Sequence, residues 1–393
     1  MNRPALILAS TVATGAVASL FLKGMDVAAR AFSAQPLLLS LLPIGAILSD
    51  RLYLRFAPST EIGTNTAIDA AQENRPPTPP AMAPLIFVST LLTHLGGGSA
   101  GREGTALQLG AGITSLIARI TRCEAIAGGL ATRCGLAAGF AAVFGTPAAA
   151  AVFALEMGAG NLVIQESLWV AAASWVANVV ANSCGATHSV FALPVLDAVS
   201  IKDLGALTIL AIACGVLTGL FHRGLSVLRS SRMRIGSTGS SAFIATALIA
   251  VLAMALPNGW EYCGLGAVSL PPGSLSIESM LSEGTTHPFA WLWKALFTLI
   301  TLGAGMRGGE VTPLFFIGAS LAIHLGDLGS PAFSIAAPTG LCLAFAAGLR
   351  APLAATVLGF ELFGWETALS VTLTAHLATS IAQAVTVSYT HLT

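Results

Sequence analysis

Charged side chains are scarce in this chain, and their scarcity excludes an ordinary water-soluble domain. Only 9% of its 393 residues are charged, and 55% are hydrophobic, whereas about 25% of the residues of a soluble domain carry charge. A soluble fold of this size has too little interior to bury so many apolar groups. Lipid is the alternative solvent, so the composition predicts an all-α protein that crosses the membrane several times.

The chain also lacks the motifs of several common function classes. It has no dinucleotide-binding fingerprint, no phosphate-binding loop and no Ser-His-Asp order. Its 18 basic and 18 acidic residues balance and form no long basic block, which argues against nucleic-acid binding. The six cysteines form no Cys-x-x-Cys pair. We therefore expect them to fill helix interfaces, and we predict neither a metal site nor a cofactor.

Five apolar runs are candidates for crossing a hydrocarbon core, which takes roughly 20 helical residues. They cover residues 5–22, 37–54, 204–220, 242–256 and 369–385. The loop after the third run contains Arg223, Arg229, Arg232 and Arg234. The positive-inside rule places this loop in the cytoplasm. A second interpretation is a solvated linker that carries no information about orientation.

An internal repeat dominates the organisation of the chain. Residues 93–156 align without a gap with residues 298–361. The alignment places Arg102, Pro147 and Glu156 opposite Arg307, Pro352 and Glu361. Such matches are hard to obtain by chance, even in a chain rich in Gly and Ala. The repeat predicts a first half over residues 1–200 and a second half over residues 201–386.

The mismatches within the repeat concern acidic residues. Glu103 falls opposite Gly308, and Glu310 falls opposite Thr105. Each half therefore places an acid in its glycine-rich loop at a different position. Charged residues inside a membrane are costly and usually functional, so the two halves are expected to share a scaffold and to differ in chemistry.

Several apolar segments are too short to cross a bilayer and are interrupted by Gly or Pro. They are 82–95, 105–120, 136–143, 148–157, 314–325 and 353–363. Short broken segments at matching places in two halves are typical of a transporter binding site. Non-helical backbone is tolerated in a bilayer only where it lines a cavity or is buried in protein. A second interpretation, close packing of helices through small residues, suits the alanine-rich run at 148–151 well.

Three glycine-containing loops precede apolar segments. They cover Gly63 to Thr66, Gly96 to Thr105 and Gly308 to Pro313. A helix start presents free amides and the positive end of the helix dipole, both of which favour an anion. Three such starts would bind an anion without a full basic charge, as suits a site that must also release it.

Three sequence blocks resemble the CLC family of chloride channels and proton-coupled anion transporters. They are Gly101-Arg102-Glu103-Gly104, the stretch from Phe144 to Met157, and Leu349-Arg350-Ala351-Pro352-Leu353. The resemblance implies a CLC-type fold with two inverted-topology repeats and broken helices. It also implies a multi-pass protein of the bacterial inner membrane and a homodimer in which each subunit has its own pore.

Departures from the chloride-type pattern are similar to the fluoride-specific branch of the family, whose members exchange fluoride for protons. The chain has Gly63-Thr64-Asn65-Thr66 where chloride-type members have Gly-Ser-Gly-Ile-Pro. It has Thr105 in place of Pro, and Gly309-Glu310-Val311-Thr312-Pro313 in place of Gly-x-Phe-x-Pro. The alternatives are chloride/proton antiport, a passive anion channel and, from a different class, a membrane enzyme.

The resemblance implies that Glu103 is the gating glutamate, an anion mimic that swings aside on protonation. Glu310 is the second acid, which we expect to handle protons or HF, although an acid that merely complements a helix dipole is an alternative. The expected anion-binding residues are Gly63, Thr64, Asn65, Thr66, Gly101, Arg102, Gly104, Thr105, Val311, Thr312, Phe315 and Phe316.

Two further expectations concern Glu156 and the end of the chain. Antiporting members carry an inner proton glutamate as the second acid of a Glu-Glu-Met block, where this chain has Met157 after Glu156. We therefore expect a structural role for Glu156 and Glu361, and another route for protons. Residues 387–393 resemble a translated adapter and are expected to be non-native, so Tyr389 is not assigned as the family's central tyrosine.

Overall fold

The structure, a computed structural model, describes residues 2–57, 63–72, 77–158, 163–188, 191, 201–235, 238–326 and 333–387. These residues form α1 (Arg3–Ala34), α2 (Leu42–Phe56), α3 (Thr64–Ala70), α4 (Met82–Leu95), α5 (Glu103–Ile120), α6 (Leu130–Phe144), α7 (Pro147–Met157) and α8 (Ile164–Ser183). They continue as α9 (Ile201–Ile235), α10 (Thr238–Ala255), α11 (Ile277–Glu283), α12 (Ala290–Gly303), α13 (Val311–Gly326), α14 (Phe333–Leu349), α15 (Pro352–Phe363) and α16 (Trp365–Val387). Short 3-10 turns lie at Pro36–Leu41, Glu124–Ile126 and Gly259–Tyr262.

Long apolar helices confirm four of the five expected membrane spans. The stretches Arg3–Ala34, Pro36–Phe56, Asp203–Ser231 and Trp365–Thr386 are long and apolar enough to cross a bilayer. The fifth run coincides with α10, whose 18 residues fall just short of the roughly 20 that a crossing takes. The short segments are confirmed as α4, α5, α6, α7, α13 and α15.

Local sequence explains where several of these helices begin and end. The Asn2 side chain accepts a hydrogen bond from the Ala5 amide at 3.1 Å, which caps the start of α1. Pro147 and Pro352 open α7 and α15, where a missing N–H costs nothing because the first helical amides are unpaired anyway. Gly145 ends α6 with a φ of 82°, a conformation that glycine adopts without strain.

Paired glycines let helices cross closely in both halves of the chain. A Cβ atom on Gly135 of α6 would lie 2.7 Å from the Gly110 carbonyl oxygen of α5. A Cβ atom on Gly340 of α14 would lie 2.3 Å from the Gly318 carbonyl oxygen of α13. Both crossings therefore depend on the absence of a side chain. The packing interpretation of small residues holds here, alongside the functional interpretation of the loops.

The carboxylates of Glu156 and Glu361 cap each other's helices. The bonds run from the amides of Ala148 and Ala149 to Glu361 at 2.8 and 2.7 Å, and from those of Leu353 and Ala354 to Glu156 at 3.1 and 2.9 Å. Each acid thus closes the start of a helix in the opposite half, where free amides need acceptors. This arrangement agrees with the structural role expected for both acids.

An aromatic cluster lies where the two halves meet. The ring centroids of Phe140 and Phe345 are 6.1 Å apart, those of Phe315 and Phe345 are 5.8 Å apart, and those of Phe144 and Phe315 are 5.3 Å apart. The cluster is buried and packs the start of α13 against α6 and α14. It places the glycine-rich loops on a rigid support. The boundary between halves at residue 200 stays a prediction, and residues 388–393 of the expected tail lie outside the described residues.

Candidate anion site

Two of the three predicted loops meet directly. The Gly101 amide donates to the Gly309 carbonyl at 2.6 Å, and the Gly309 amide donates to the Gly101 carbonyl at 2.7 Å. This reciprocal pair is the isolated β-bridge between the two halves. It brings the start of α5 against the start of α13, so that the free amides of two helix starts converge.

Glycine is required on both sides of this contact. A Cβ atom on Gly101 would lie 2.9 Å from the Thr312 amide nitrogen, and one on Gly309 would lie 2.8 Å from the Gly104 amide nitrogen. Real Cβ atoms do not approach backbone so closely. The glycine-rich composition of the two loops therefore serves a close approach of backbone.

The Glu103 carboxylate lies at this junction. Glu103 is the first residue of α5 and is only 1% exposed. It accepts a hydrogen bond from the Thr312 hydroxyl of the other half and one from the Arg102 amide at 3.2 Å. The Arg102 guanidinium Nε lies 3.6 Å from the carboxylate. A negative oxygen thus occupies the point where the two helix starts converge.

The third loop joins the site through the Thr64 side chain. The Gln108 amide of α5 donates to the Thr64 hydroxyl at 3.1 Å, and Gly104 packs beside that hydroxyl. Asn65 is exposed and Thr66 is partly buried, and Thr105 instead contacts the Thr90 hydroxyl at 2.9 Å. The structure therefore gathers Thr64, Gly104 and Thr312 around Glu103, whereas Asn65 lies at the edge.

Glu310, the second predicted acid, precedes Thr312 by two residues. It immediately precedes α13 and its side chain is 29% exposed. Its Oε1 atom lies 3.6 Å from Nε2 of His222, which projects from α9. The two acids of the site thus differ in access, because Glu103 is enclosed and Glu310 is not.

The remaining predicted residues are packing groups in this structure. Val311, Phe315 and Phe316 are almost completely buried, and Phe315 belongs to the aromatic cluster. Phe316 packs edge-on against Tyr262, with ring centroids 6.4 Å apart. The Lys294 ammonium lies 5.5 Å from the Phe316 ring centroid. Direct contact of either phenylalanine with an anion stays a prediction.

Sequence reasoning missed three polar residues near the site. Gln108 and Lys294 interrupt apolar stretches of α5 and α12, and His222 directly follows the apolar part of α9. That pattern is a usable signal, because a polar group inside a membrane helix usually faces a cavity or a partner. Lys294 is fully buried and donates to the carbonyls of Tyr262 and Gly264 at 3.2 and 2.9 Å. The Gly264 amide in turn donates to the Gly97 carbonyl of the first glycine-rich loop at 2.9 Å.

Comparison with known proteins identifies the family. Residues 44–385 match the model of the voltage-gated chloride channel family. The chain belongs to this family, the CLC family. The helical architecture and the meeting of glycine-rich helix starts are thereby those of a CLC membrane protein.

Individual CLC relatives match over most of their length. The chain is 32% identical over 372 residues to the chloride/fluoride channel protein of Pseudomonas syringae pv. tomato, covering 92% of this chain and 80% of the relative. The crystal structure of a CLC-type fluoride/proton antiporter matches with a TM-score of 0.86 and 30% identity, covering 96% of this chain and 94% of that one. A slow cyanobacterial Cl−/H+ antiporter matches with a TM-score of 0.80 at 20% identity, covering 98% and 95%. The last likeness concerns the fold alone.

Proposed function

We propose that this protein exports fluoride across a bacterial inner membrane in exchange for protons. The observation that carries the proposal is the bond between an acid of one half and a hydroxyl of the other, two residues after a second acid. Glu103 accepts from the Thr312 hydroxyl, and Glu310 stands two positions before that threonine. The similarity to a CLC-type fluoride/proton antiporter at 30% identity supports the choice of ions.

The geometry suits a carboxylate that competes with the transported anion. While Glu103 is ionised, it occupies the junction of the helix starts and binds the Thr312 hydroxyl. Protonation removes its negative charge, so the carboxyl group loses its advantage at an anion site and can leave. The freed hydroxyl and amides can then donate to fluoride, a small anion that needs several strong donors. Release of the anion and loss of the proton return the carboxylate.

Vesicles that contain the purified protein test the proposal. An imposed proton gradient should drive fluoride against its own gradient, as read by a fluoride electrode, and protons should move in the opposite direction to fluoride. Chloride as the sole anion should turn over at least about tenfold more slowly, because chloride accepts weaker hydrogen bonds than fluoride from the hydroxyl and amide donors of the site. Equal chloride turnover would contradict the choice of fluoride.

Chloride transport is the second candidate. It is favoured by the name of the Pseudomonas relative, a chloride/fluoride channel protein. Passive channel behaviour is distinguished in the same vesicles, because a channel lets fluoride run down its gradient without moving protons. We propose no enzymatic activity, and normal anion flux in both Glu103→Gln and Glu310→Gln proteins would reopen that possibility.

We further propose that the protein is a homodimer with one pore in each subunit. Apolar side chains on α8 support this arrangement: Ile164, Leu168 and Trp175 are exposed beside a groove lined by Ala148 and Leu155 of α7. A second copy would cover this surface from lipid. Counting of photobleaching steps for a labelled protein at low density in vesicles should give two steps per particle, and a single step would contradict the dimer.

A further inference from the structure

Glu310 faces a histidine from a distant part of the chain. His222 lies in α9, and its Nε2 atom is 3.6 Å from the Glu310 carboxylate. That nitrogen is itself buried and has no hydrogen-bond partner among the described residues. A small side-chain movement would therefore close a direct hydrogen bond between the two groups.

This pair continues toward the buried acid. Glu310 precedes the first turn of α13, and Thr312 in that turn donates its hydroxyl to Glu103. His222, Glu310 and Glu103 are thus linked as a series, by the 3.6 Å approach of the first two and by Thr312, which follows Glu310 by two residues and bonds Glu103. The side chains at its outer end are 21% and 29% exposed, whereas Glu103 is 1% exposed. The exposed fraction of the side chains therefore falls from His222 and Glu310 to Glu103 at the enclosed junction.

The other charged groups on the helices and loops near α9 contact groups other than His222 and Glu310. Helix α9 packs against α10, α12, α13, α14 and α16. Lys294 of α12 binds backbone carbonyls, and the Arg307 guanidinium lies 4.2 Å from the Tyr53 ring centroid. His324 lies at the opposite end of α13 from Glu310, with its ring 5.8 Å from that of Phe289.

Further charged side chains lie on α16 and on α9 itself. Helix α16 carries Glu366 in its first turn and His376 further along, and Arg223 follows His222 on α9. Within the described residues, Glu310 is the carboxylate that comes within 4.0 Å of His222.

The position of His222 in α9 gives the series a direction. Arg229 follows His222 on the same helix by about 10 Å, at 1.5 Å per residue. The arginine-rich end of α9 is the end that the positive-inside rule places in the cytoplasm. Antiport that exports fluoride moves protons inward, so a group at this end would receive them last.

We propose that His222 is the relay through which Glu310 exchanges protons with the cytoplasm, an inference that rests on the proposed fluoride/proton antiport. Protonated Glu310 passes its proton to the unprotonated Nε2 of His222, leaving a carboxylate and an imidazolium, and His222 then releases a proton to water. Histidine suits this step because it gains and loses a proton readily near neutral pH. The relay supplies the inner proton route that the missing Glu-Glu-Met acid leaves open.

Simultaneous recording of fluoride and proton movement in vesicles tests this relay. His222→Gln should lower the ratio of protons to fluoride at least about fivefold, because glutamine cannot carry the proton. His324→Gln is the matched control, since it also removes a partly exposed histidine from a membrane helix, and its ratio should stay within about twofold of the unaltered protein. A His222→Gln protein with an unaltered ratio would overturn the relay.

Two further variants separate proton transfer from simple charge pairing. His222→Lys keeps a positive charge near Glu310 but holds its proton too firmly to relay it, so it should remain as uncoupled as His222→Gln. Restoration of coupling by lysine would overturn the relay and favour a positioning charge. His222→Asn repeats the test if the glutamine variant does not elute as a single species in detergent.

Making the His222 substitution in a protein that already lacks the Glu310 carboxylate gives an internal check. In a Glu310→Gln protein, adding His222→Gln should lower the proton ratio no further, because both residues act in one step. A further loss of the same size as in the unaltered protein would overturn the series. Absence of proton-driven fluoride movement in the unaltered protein is a different result, which overturns the proposed function and the relay with it.

Discussion

The loops before α5 and α13 are aligned copies that place their acids in different surroundings. Helix α5 begins at Glu103, whereas α13 begins at Val311, which the internal alignment places opposite Ala106, almost one turn later. Gly308 occupies the aligned position of Glu103, so α13 would contain two glycines in its first turn where α5 has Gly104 alone, and a helical glycine costs roughly 1 kcal/mol relative to alanine. The later start leaves Glu310 outside the helix and facing α9. One scaffold thus produces an enclosed acid and an accessible one.

The largest expected effect comes from removing the enclosed acid. Glu103→Gln should lower proton-driven fluoride transport about a hundredfold, the scale of a lost proton-transfer group, because glutamine keeps the shape but carries no proton. Vesicle flux with a fluoride electrode measures the loss. Glu278→Gln, an exposed acid of α11, is the control. If the Glu103→Gln protein took up fluoride within twofold of the unaltered protein, the enclosed acid would have no special role in transport.

The accessible acid should matter less to fluoride than to protons. Glu310→Gln should lower the proton-to-fluoride ratio about tenfold, since Glu103 still occupies the junction while its proton route is lost. If Glu310 only complements the dipole of α13, the substitution would cost no more than about 1 kcal/mol and leave the ratio intact. Parallel pH-dye and fluoride-electrode recordings decide between these outcomes.

The contact between the two loops should be sensitive to one added methyl group. Gly101→Ala places a Cβ atom 2.9 Å from the Thr312 amide nitrogen, which should destabilise the junction by about 1–3 kcal/mol and slow transport several-fold. Gly205→Ala is the matched control, because a Cβ atom there meets nothing within 4 Å. Thermal unfolding in detergent and vesicle flux should both separate the two variants. Equal behaviour would show that the loops tolerate separation.

The smallest expected effect on transport comes from the acids that cap helices. Glu361→Gln should lower the unfolding free energy by about 2 kcal/mol, because one of two buried amides loses a charged acceptor. The ratio of protons to fluoride should stay unaltered, as should that of Glu156→Gln. Thermal melting compared with Glu283→Gln measures the first effect. A changed ratio for Glu156→Gln would make that acid part of the proton route.

Much of this architecture follows from local sequence. Apolar runs predicted five spans, of which four are confirmed, Gly and Pro predicted the broken helices, and the unequal acids predicted a chemical difference between the loops. These features depend on neighbours along the chain. The family membership is confirmed, whereas the roles of Glu103, Glu310 and the surrounding anion-binding residues stay predictions.

Contacts across the molecule were beyond sequence reasoning. Thr312 was expected to donate to an anion, and its bond to Glu103 depends on how α5 and α13 are rotated about their axes. The approach of His222 to Glu310 depends on the path of α9, which no local pattern determines. The crosswise capping by Glu156 and Glu361 is hidden for the same reason, because the repeat aligns these acids with each other and does not show which amides donate to them.

The crosswise caps also bear on how the protein is made. The amides of Ala148 and Ala149 receive their acceptor from Glu361, which the ribosome adds only after more than half of the chain has been synthesised. Until Glu361 has been added, these amides at the start of α7 lack that acceptor. Glu156 likewise has no partner until α15 arrives. The start of α7 therefore gains its acceptor only after the second half has inserted, and an incomplete chain keeps unpaired amides at that helix start.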